Sequence, residues 1–441
     1  MAKTKLFGTD GVRGPADELF TDQLVGELGR AAVEALGDQS LRVAILRDTR
    51  ESGPRIERAL AAGCAAAGAH VMLAGVLPTP AASILADHYG FDLVAVISAS
   101  HNPFADNGVK FFGRDGMKLG DQIEAAIEVA IDQPPRGAGG TGTIAELRGA
   151  ADDYLRALHQ RFAELELSGQ RFLLDTANGA TYRVAPEIFR RLGAEVEVVF
   201  DSPDGRNIND GCGSTHIQAL AERVAAGDFA AGFAFDGDGD RVLAVDRAGR
   251  IVDGDELIAL AAVHLRKQGR LPGNGVAVTV MTNFGFHTAM AAAGVEVAIT
   301  PVGDRHVLAE LLSRGWSLGG EQSGHVIDRG FIASGDGTAA ALLTLEALSA
   351  LGGELADIHA MEKLPQRLVN VRVADREAIA GAASVWSAVE QAERDLAGRG
   401  RVLVRPSGTE PLVRVMVEAP GIEETTMICD QLVDLVKHEL G

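Results

Sequence analysis

A chain of 441 residues, 46% of them hydrophobic, is long enough for two to four domains with sizeable cores. Its net charge of −20, from 41 basic and 61 acidic side chains, argues against non-specific nucleic-acid binding and repels an anionic substrate at long range, so a phosphate site must be built locally from arginines and backbone N–H groups. No apolar run approaches the roughly 20 residues of a membrane span, no apolar signal segment follows Lys3 and Lys5, and Cys64, Cys212 and Cys429 lie far apart, so a cytoplasmic protein with reduced thiols and no zinc site is expected.

In chain order, Gly8 to Gly14 is a polar loop carrying Arg13. Arg42 to Leu46 reads as a strand, a helical stretch follows, and Gly68-Ala69-His70-Val71 leads into a second strand. Leu93 to Ile97 is a continuous apolar run, the pattern of a buried strand, and Ile97-Ser98-Ala99-Ser100-His101-Asn102-Pro103 ends it. Pro103 keeps Asn102 out of helical geometry, so Ser100 is expected on a tight turn at a strand end. Ser98, two residues earlier in the same turn, is expected to be a bystander. Asn107-Gly108-Val109-Lys110 follows and brings an ammonium toward that turn, and Pro134 to Gly140 reads as a flexible surface loop.

Strand–helix–strand patterns return at Arg171 to Asp175 with Gly193-Ala194-Glu195-Val196, and at Val276 to Val280 with Gly294-Val295-Glu296-Val297. The glycine before each second strand fits a helix C-cap, and each unit predicts parallel pairing with a right-handed crossover. Three such copies predict three α/β domains of similar build. The C-terminal part differs: Val369 to Val373, Arg401 to Val404 and Val413 to Val417 read as strands, Ser384 to Leu396 and Met427 to Leu440 as helices, an α+β pattern with mixed pairing. Boundaries near Gly149–Asp152, Asp253–Asp255 and Leu364–Arg367 divide the chain into 1–151, 152–253, 254–366 and 367–441.

Three segments carry further chemistry. Asp236-Gly237-Asp238-Gly239-Asp240-Arg241 follows the apolar run Phe229 to Phe235. Glycine lets the backbone aim three carboxylates at one point, where they repel unless a hard cation such as Mg²⁺, Mn²⁺ or Ca²⁺ sits between them. An EF-hand fails on detail, since its glycine position is Arg241 and its glutamate position Arg247. Gly319-Gly320-Glu321-Gln322-Ser323-Gly324-His325 is a polar loop whose carboxylate and hydroxyl, Glu321 and Ser323, stand two residues apart and suit the vicinal hydroxyls of a sugar. Arg405-Pro406-Ser407-Gly408-Thr409-Glu410-Pro411 offers a guanidinium fork, hydroxyls and free N–H groups to a phosphate, with Arg414 as a second fork.

Taken together, Ser-Ala-Ser-His-Asn-Pro, Asp-Gly-Asp-Gly-Asp-Arg, Gly-Glu-Gln-Ser-Gly-His and Arg-Pro-Ser-Gly-Thr-Glu-Pro, in this order, resemble the α-D-phosphohexomutase family over nearly the whole chain. The resemblance implies a four-domain, heart-shaped fold of three similar α/β domains and a C-terminal α+β domain. It implies that Ser100 is a phosphoserine in the active enzyme and that one Mg²⁺ is held by Asp236, Asp238, Asp240 and a phosphoserine oxygen. Arg13 and Lys110 then stabilise the transferring group, and His101, or Lys110 if desolvated, is the candidate general base. Arg241, Glu321, Ser323 and His325 would bind the sugar, and Arg405, Ser407, Gly408, Thr409 and Arg414 its non-reacting phosphate.

Gly8 to Gly14, Asn207 to His216, Met281-Thr282-Asn283, Val302-Gly303-Asp304-Arg305 and Gln322 are most similar to family members acting on an amino sugar. Those enzymes interconvert glucosamine 6-phosphate and glucosamine 1-phosphate, with glucosamine or glucose 1,6-bisphosphate as activator, and feed amino-sugar nucleotide and cell-wall precursor synthesis. A mutase of glucose or mannose phosphates is the alternative. A non-catalytic sugar-phosphate sensor predicts a lost serine or a broken aspartate set, and neither is seen. A phosphosugar substrate, no nucleic acid, no membrane and a homodimer are the expected partners and state.

Overall fold

The computed structural model describes residues 6–8, 10–37, 40–135, 142–407 and 410–441. They form two compact units, Met1–Val280 with Ala298–His359, and Met281–Val297 with Ala360–Gly441.

Three sheets fall wholly or mostly in the first unit. One contains β1 (Val12–Pro15), β2 (Arg42–Arg47), β3 (His70–Val76), β4 (Leu93–Ile97), β5 (Asp106–Gly113) and β6 (Thr143–Glu146), in the order β1-β5-β4-β2-β3-β6. Every residue of β4 is buried, as a central strand covered on both faces requires. The strand–helix–strand expectation holds here: β2 pairs parallel with β3 across the helix Gly53–Ala66. Gly68, just beyond that helix, has a φ of 96°, the left-handed geometry that ends a helix without a Cβ clash. A core of Val43, Ile45, Ile56, Leu60, Leu93 and Ala95, among others, joins helix and sheet.

The second sheet contains β7 (Arg171–Asp175), β8 (Glu195–Val199), β9 (Ala231–Phe235), β10 (Val242–Asp246) and β11 (Ile251–Val252), in the order β11-β10-β9-β7-β8. β7 is parallel to both β8 and β9, while β9 and β10 form an antiparallel pair closed by residues 236–241. The third contains β12 (Gly275–Thr279), β13 (Glu296–Thr300), β14 (Leu318–Gly320) and β15 (Val326–Asp328), in the order β13-β12-β14-β15. The repeated pattern thus produces three related sheets. The loops singled out in the sequence, residues 98–103, 236–241 and 321–325, leave at the carboxyl ends of β4, β9 and β14, where open α/β sheets place their ligands.

The second unit carries β16 (Gln366–Arg372), β17 (Arg401–Pro406) and β18 (Leu412–Glu418), with the helices Ala383–Leu396 and Ile422–Leu440. Its pairing is antiparallel throughout the described strands, not mixed as expected. The short connection between β17 and β18 permits only a hairpin, and β16 flanks β18 on the other side. Val385, Leu396, Val413, Val415, Cys429 and Leu432 are among its core.

Cys64, Cys212 and Cys429 are buried and unpaired with one another. Burial pushes the Cys64 and Cys212 thiols up to about 12 and raises that of Cys429. Among the described residues no helix is long and apolar enough to cross a membrane. Part of the Pro134–Gly140 loop lies outside the described residues.

Candidate active site

β4 ends at Ile97, and the chain must reverse to re-enter as β5, its antiparallel neighbour. Ser100 takes the strain of that reversal. Its φ is 51°, a left-handed conformation that costs an L-residue about 1–2 kcal/mol. The turn aims the side chain inward, where Ser100 is 1% exposed. Its Oγ donates to Asp236 Oδ2 at 2.6 Å and lies 3.3 Å from His101 Nδ1.

Asp236, Asp238 and Asp240 sit in the loop between β9 and β10, all buried, with ligand oxygens that lie within 4.8 Å of one another. Gly237 has no room for a Cβ, which would fall 2.7 Å from both Ser100 O and Asn209 Nδ2. Burial, then the neighbouring Asp240 and Asp238, push the Asp236 carboxyl well above the usual range. Thr79 Oγ1 donates to Asp238 Oδ2 at 2.7 Å and Lys110 Nζ to the same oxygen at 2.9 Å. Asp238 Oδ1 and Asp240 Oδ1 are buried without a hydrogen-bond partner. Buried carboxylate oxygens left bare beside one another fit a hard divalent cation with oxygen ligands.

The cations come from the first sheet. Lys110 on β5 is 1% exposed and lies 3.1 Å from Asp10 Oδ2 and 3.8 Å from Asp240 Oδ2. Burial works against its charge, but Asp10, Asp238 and Asp240 outweigh burial and hold it as an ammonium, which disfavours it as a base. Arg13 on β1 faces Gly108 across the β1–β5 pair and is bound to Asp10. Against burial, Lys110, Lys118 and Arg13 hold the Asp10 carboxyl well below the usual range. His101 is kept neutral by burial and by the charges of Arg241 and Arg13. Arg241 Nη1 is 3.4 Å from His101 Nδ1, and its backbone N–H donates to Asp236 Oδ1 at 3.1 Å.

Glu321, Ser323 and His325, expected to meet a sugar, lie in the turn between β14 and β15. His325 is buried, with Nδ1 3.6 Å from Asp240 Oδ2. Glu321 accepts a hydrogen bond from Gly303 N at 2.9 Å, and Ser323 is exposed. Within the first unit the fold therefore brings Ser100, His101, Lys110, Arg13, the three aspartates, Arg241 and His325 into one charged cluster.

In the second unit, Arg405 and Arg414 are direct cross-strand partners on β17 and β18. Like charges opposite one another are destabilising unless an anion joins them. Ser407 is buried, and its Oγ accepts from Glu410 N at 3.4 Å. Gly408 and Thr409 lie outside the described residues.

Sequence reading did not single out Asp48, Arg50, Thr79 or Lys118. Lys118 Nζ bonds Asp10 Oδ1 and also Asp304, extending the charge cluster outward. Asp48 and Arg50 follow β2 directly, and a polar group just beyond a buried strand was the available signal.

A strained serine facing a carboxylate cluster and a buried lysine, set on strand ends of repeated α/β sheets, suits cation-assisted phosphoryl transfer. Models described as phosphoglucomutase/phosphomannomutase α/β/α domains I, II and III match residues 4–136, 152–249 and 253–364, and that family's C-terminal domain matches 368–435. The chain belongs to this phosphohexomutase family. A phosphoglucosamine mutase of Moorella thermoacetica is 49% identical over 429 residues, covering 95% of this chain and 96% of that protein. A phosphoglucosamine mutase of Desulforudis audaxviator is 47% identical, covering 98% and 97%. The crystal structure of a phosphoglucomutase/phosphomannomutase family protein from Burkholderia thailandensis aligns with a TM-score of 0.82 at 25% identity, covering 99% of this chain and 98% of that one.

Proposed function

We propose that this enzyme is an isomerase that interconverts glucosamine 6-phosphate and glucosamine 1-phosphate, with Ser100 as the phosphoryl carrier. The observation that carries the reading is the Ser100 hydroxyl 2.6 Å from Asp236 inside the buried aspartate cluster. The identity to two phosphoglucosamine mutases over nearly full length selects the amino sugar. In the first half-reaction the P–Oγ bond of phosphorylated Ser100 breaks as sugar O1 bonds to phosphorus. The O1 proton passes to a base, and His101, beside Ser100 Oγ, is the side chain placed for it. The freed Ser100 Oγ takes up that proton; once the 1,6-bisphosphate has turned around, Oγ returns it to the base as it bonds to the phosphorus on O6, the P–O6 bond breaks, and O6 receives the proton. Mg²⁺, held by Asp236, Asp238, Asp240 and a phosphoserine oxygen, would draw charge off the transferring group. Lys110 and Arg13 add fixed positive charge, and beside the proton transfer the chemistry is positioning with charge neutralisation. Arg241, Glu321, Ser323 and His325 are assigned to the sugar.

A coupled assay for glucosamine 1-phosphate tests the reading. Turnover should rise on adding a catalytic amount of glucose 1,6-bisphosphate, and glucosamine 6-phosphate should be used faster than glucose or mannose 6-phosphate. Faster turnover of the latter two would install the phosphomannomutase/phosphoglucomutase alternative.

The non-reacting phosphate must be gripped in both substrate orientations, and the Arg405/Arg414 pair with Ser407, Gly408 and Thr409 is assigned that role. Charge-assisted hydrogen bonds contribute roughly 1.5–3 kcal/mol each, about ten- to a hundredfold in affinity. Arg405→Ala should raise KM by that factor in both reaction directions. Unchanged KM would remove the assignment.

A further inference from the structure

The carbonyl groups of the Ser100 turn face into the protein rather than toward solvent. Arg50, fully buried, meets them. Its Nη2 donates to Ser100 O at 2.9 Å and Asn102 O at 2.8 Å, and its Nη1 to Asp106 O at 3.0 Å and to Pro103 O. Asn209, from the loop beyond β8, donates Nδ2 to Ser100 O at 2.9 Å and Asn102 O at 3.1 Å. Asp48 anchors the arrangement. Its Oδ2 accepts from Arg50 Nε at 2.8 Å and from Ser98 Oγ at 2.6 Å. Ser98 Oγ in turn accepts from Ser100 N at 3.0 Å.

Burying an ionised pair is unfavourable unless it is fully hydrogen-bonded, and this one touches no solvent. The guanidinium is suited to the task because five N–H donors in a rigid plane can satisfy several converging carbonyls, which a lysine cannot do. The backbone on both sides of Ser100 Cα is thereby fixed, its N–H by Ser98 and its C=O by Arg50 and Asn209. That fixation holds a serine at a φ of 51° against its own preference.

We infer that Asp48, Arg50, Ser98 and Asn209 are positioning residues for phosphoryl transfer, a cage that aims Ser100 Oγ at its reaction line without touching substrate. The inference rests on the reading of Ser100 as phosphoryl carrier. It also revises the expectation for Ser98, which is no bystander.

The experiment compares the parent enzyme with Arg50→Lys, which keeps a charge for Asp48 but loses the fork, and Ser98→Ala, which removes one hydroxyl. Each is dephosphorylated and mixed with glucose 1,6-bisphosphate, and the rate of phosphate appearance on Ser100 is followed by rapid quench and mass spectrometry beside kcat, KM and the unfolding temperature. A misplacement of about 1 Å costs about a hundredfold in rate. Arg50→Lys should therefore lose about a hundredfold, and Ser98→Ala about tenfold, in both kcat and Ser100 phosphorylation rate, with KM within about threefold of the parent. A purely structural role would lower the unfolding temperature and leave kcat per phosphorylatable site unchanged, and that result overturns the inference. Should Arg50→Lys fail to fold, Ser98→Ala decides alone. A parent enzyme that turns over without ever carrying phosphate on Ser100 would remove the carrier reading, and the cage with it. A phosphorylated parent with equally fast variants would remove the cage only.

Discussion

Ser100→Ala should lower turnover by about 10⁴–10⁶-fold, the scale on which an enzyme loses its nucleophile. The variant should fold. Alanine occupies a φ of 51° with no more strain than serine, and the loop carbonyls keep their donors in Arg50 and Asn209. What disappears is the oxygen proposed to hold the phosphoryl group between the half-reactions, the hydroxyl 2.6 Å from Asp236. Mass spectrometry of the parent should place a phosphate on Ser100, and the variant should carry none there. Parental turnover by Ser100→Ala would end the covalent mechanism. Substrate affinity should change little, because the sugar and non-reacting phosphate are assigned to other side chains.

Chelation should be the next largest effect. A divalent cation contributes several kcal/mol to stabilising a transferring phosphoryl group, so EDTA should cut turnover by at least about 10³-fold. Mg²⁺ should restore it, since three carboxylates and a phosphate oxygen suit an octahedral oxygen-bound ion. Zinc, which prefers tetrahedral nitrogen and sulfur donors, should support turnover poorly. The secondary structure should survive the treatment, because Asp236, Asp238 and Asp240 lie in a loop whose flanking strands are paired independently. Full activity in chelated buffer would strip these three aspartates of their assigned role.

Part of this architecture is legible in the sequence because its central strands β4, β9 and β12 are buried along their whole length and read as largely apolar runs. Leu93 to Ile97 and Arg171 to Asp175 coincide with β4 and β7. The glycines that close the helices are equally plain, and Gly68, Gly193 and Gly294 all adopt positive φ. The candidate site loops stand out because small and polar residues interrupt those runs. The supporting residues do not. Arg50 resembles a solvated charge at a strand end, and only the carbonyls of residues 100 to 106, brought alongside by the β2–β4 pairing, make it a buried one. Thr79 and Asp238 meet across 159 positions of chain, a contact no local pattern encodes. In the C-terminal sheet the strands were readable, and the expectation of mixed pairing overlooked that a connection as short as the one between β17 and β18 allows only an antiparallel pair.

The three sealed thiols have a practical consequence. Alkylating reagents attack thiolates, and Cys64, Cys212 and Cys429 are buried with their ionisation suppressed. The native protein is therefore a silent background for dye chemistry. A single cysteine introduced on an exposed helix of either unit could be labelled without first removing the natural three, so a fluorophore could report on that unit alone in an otherwise unaltered enzyme.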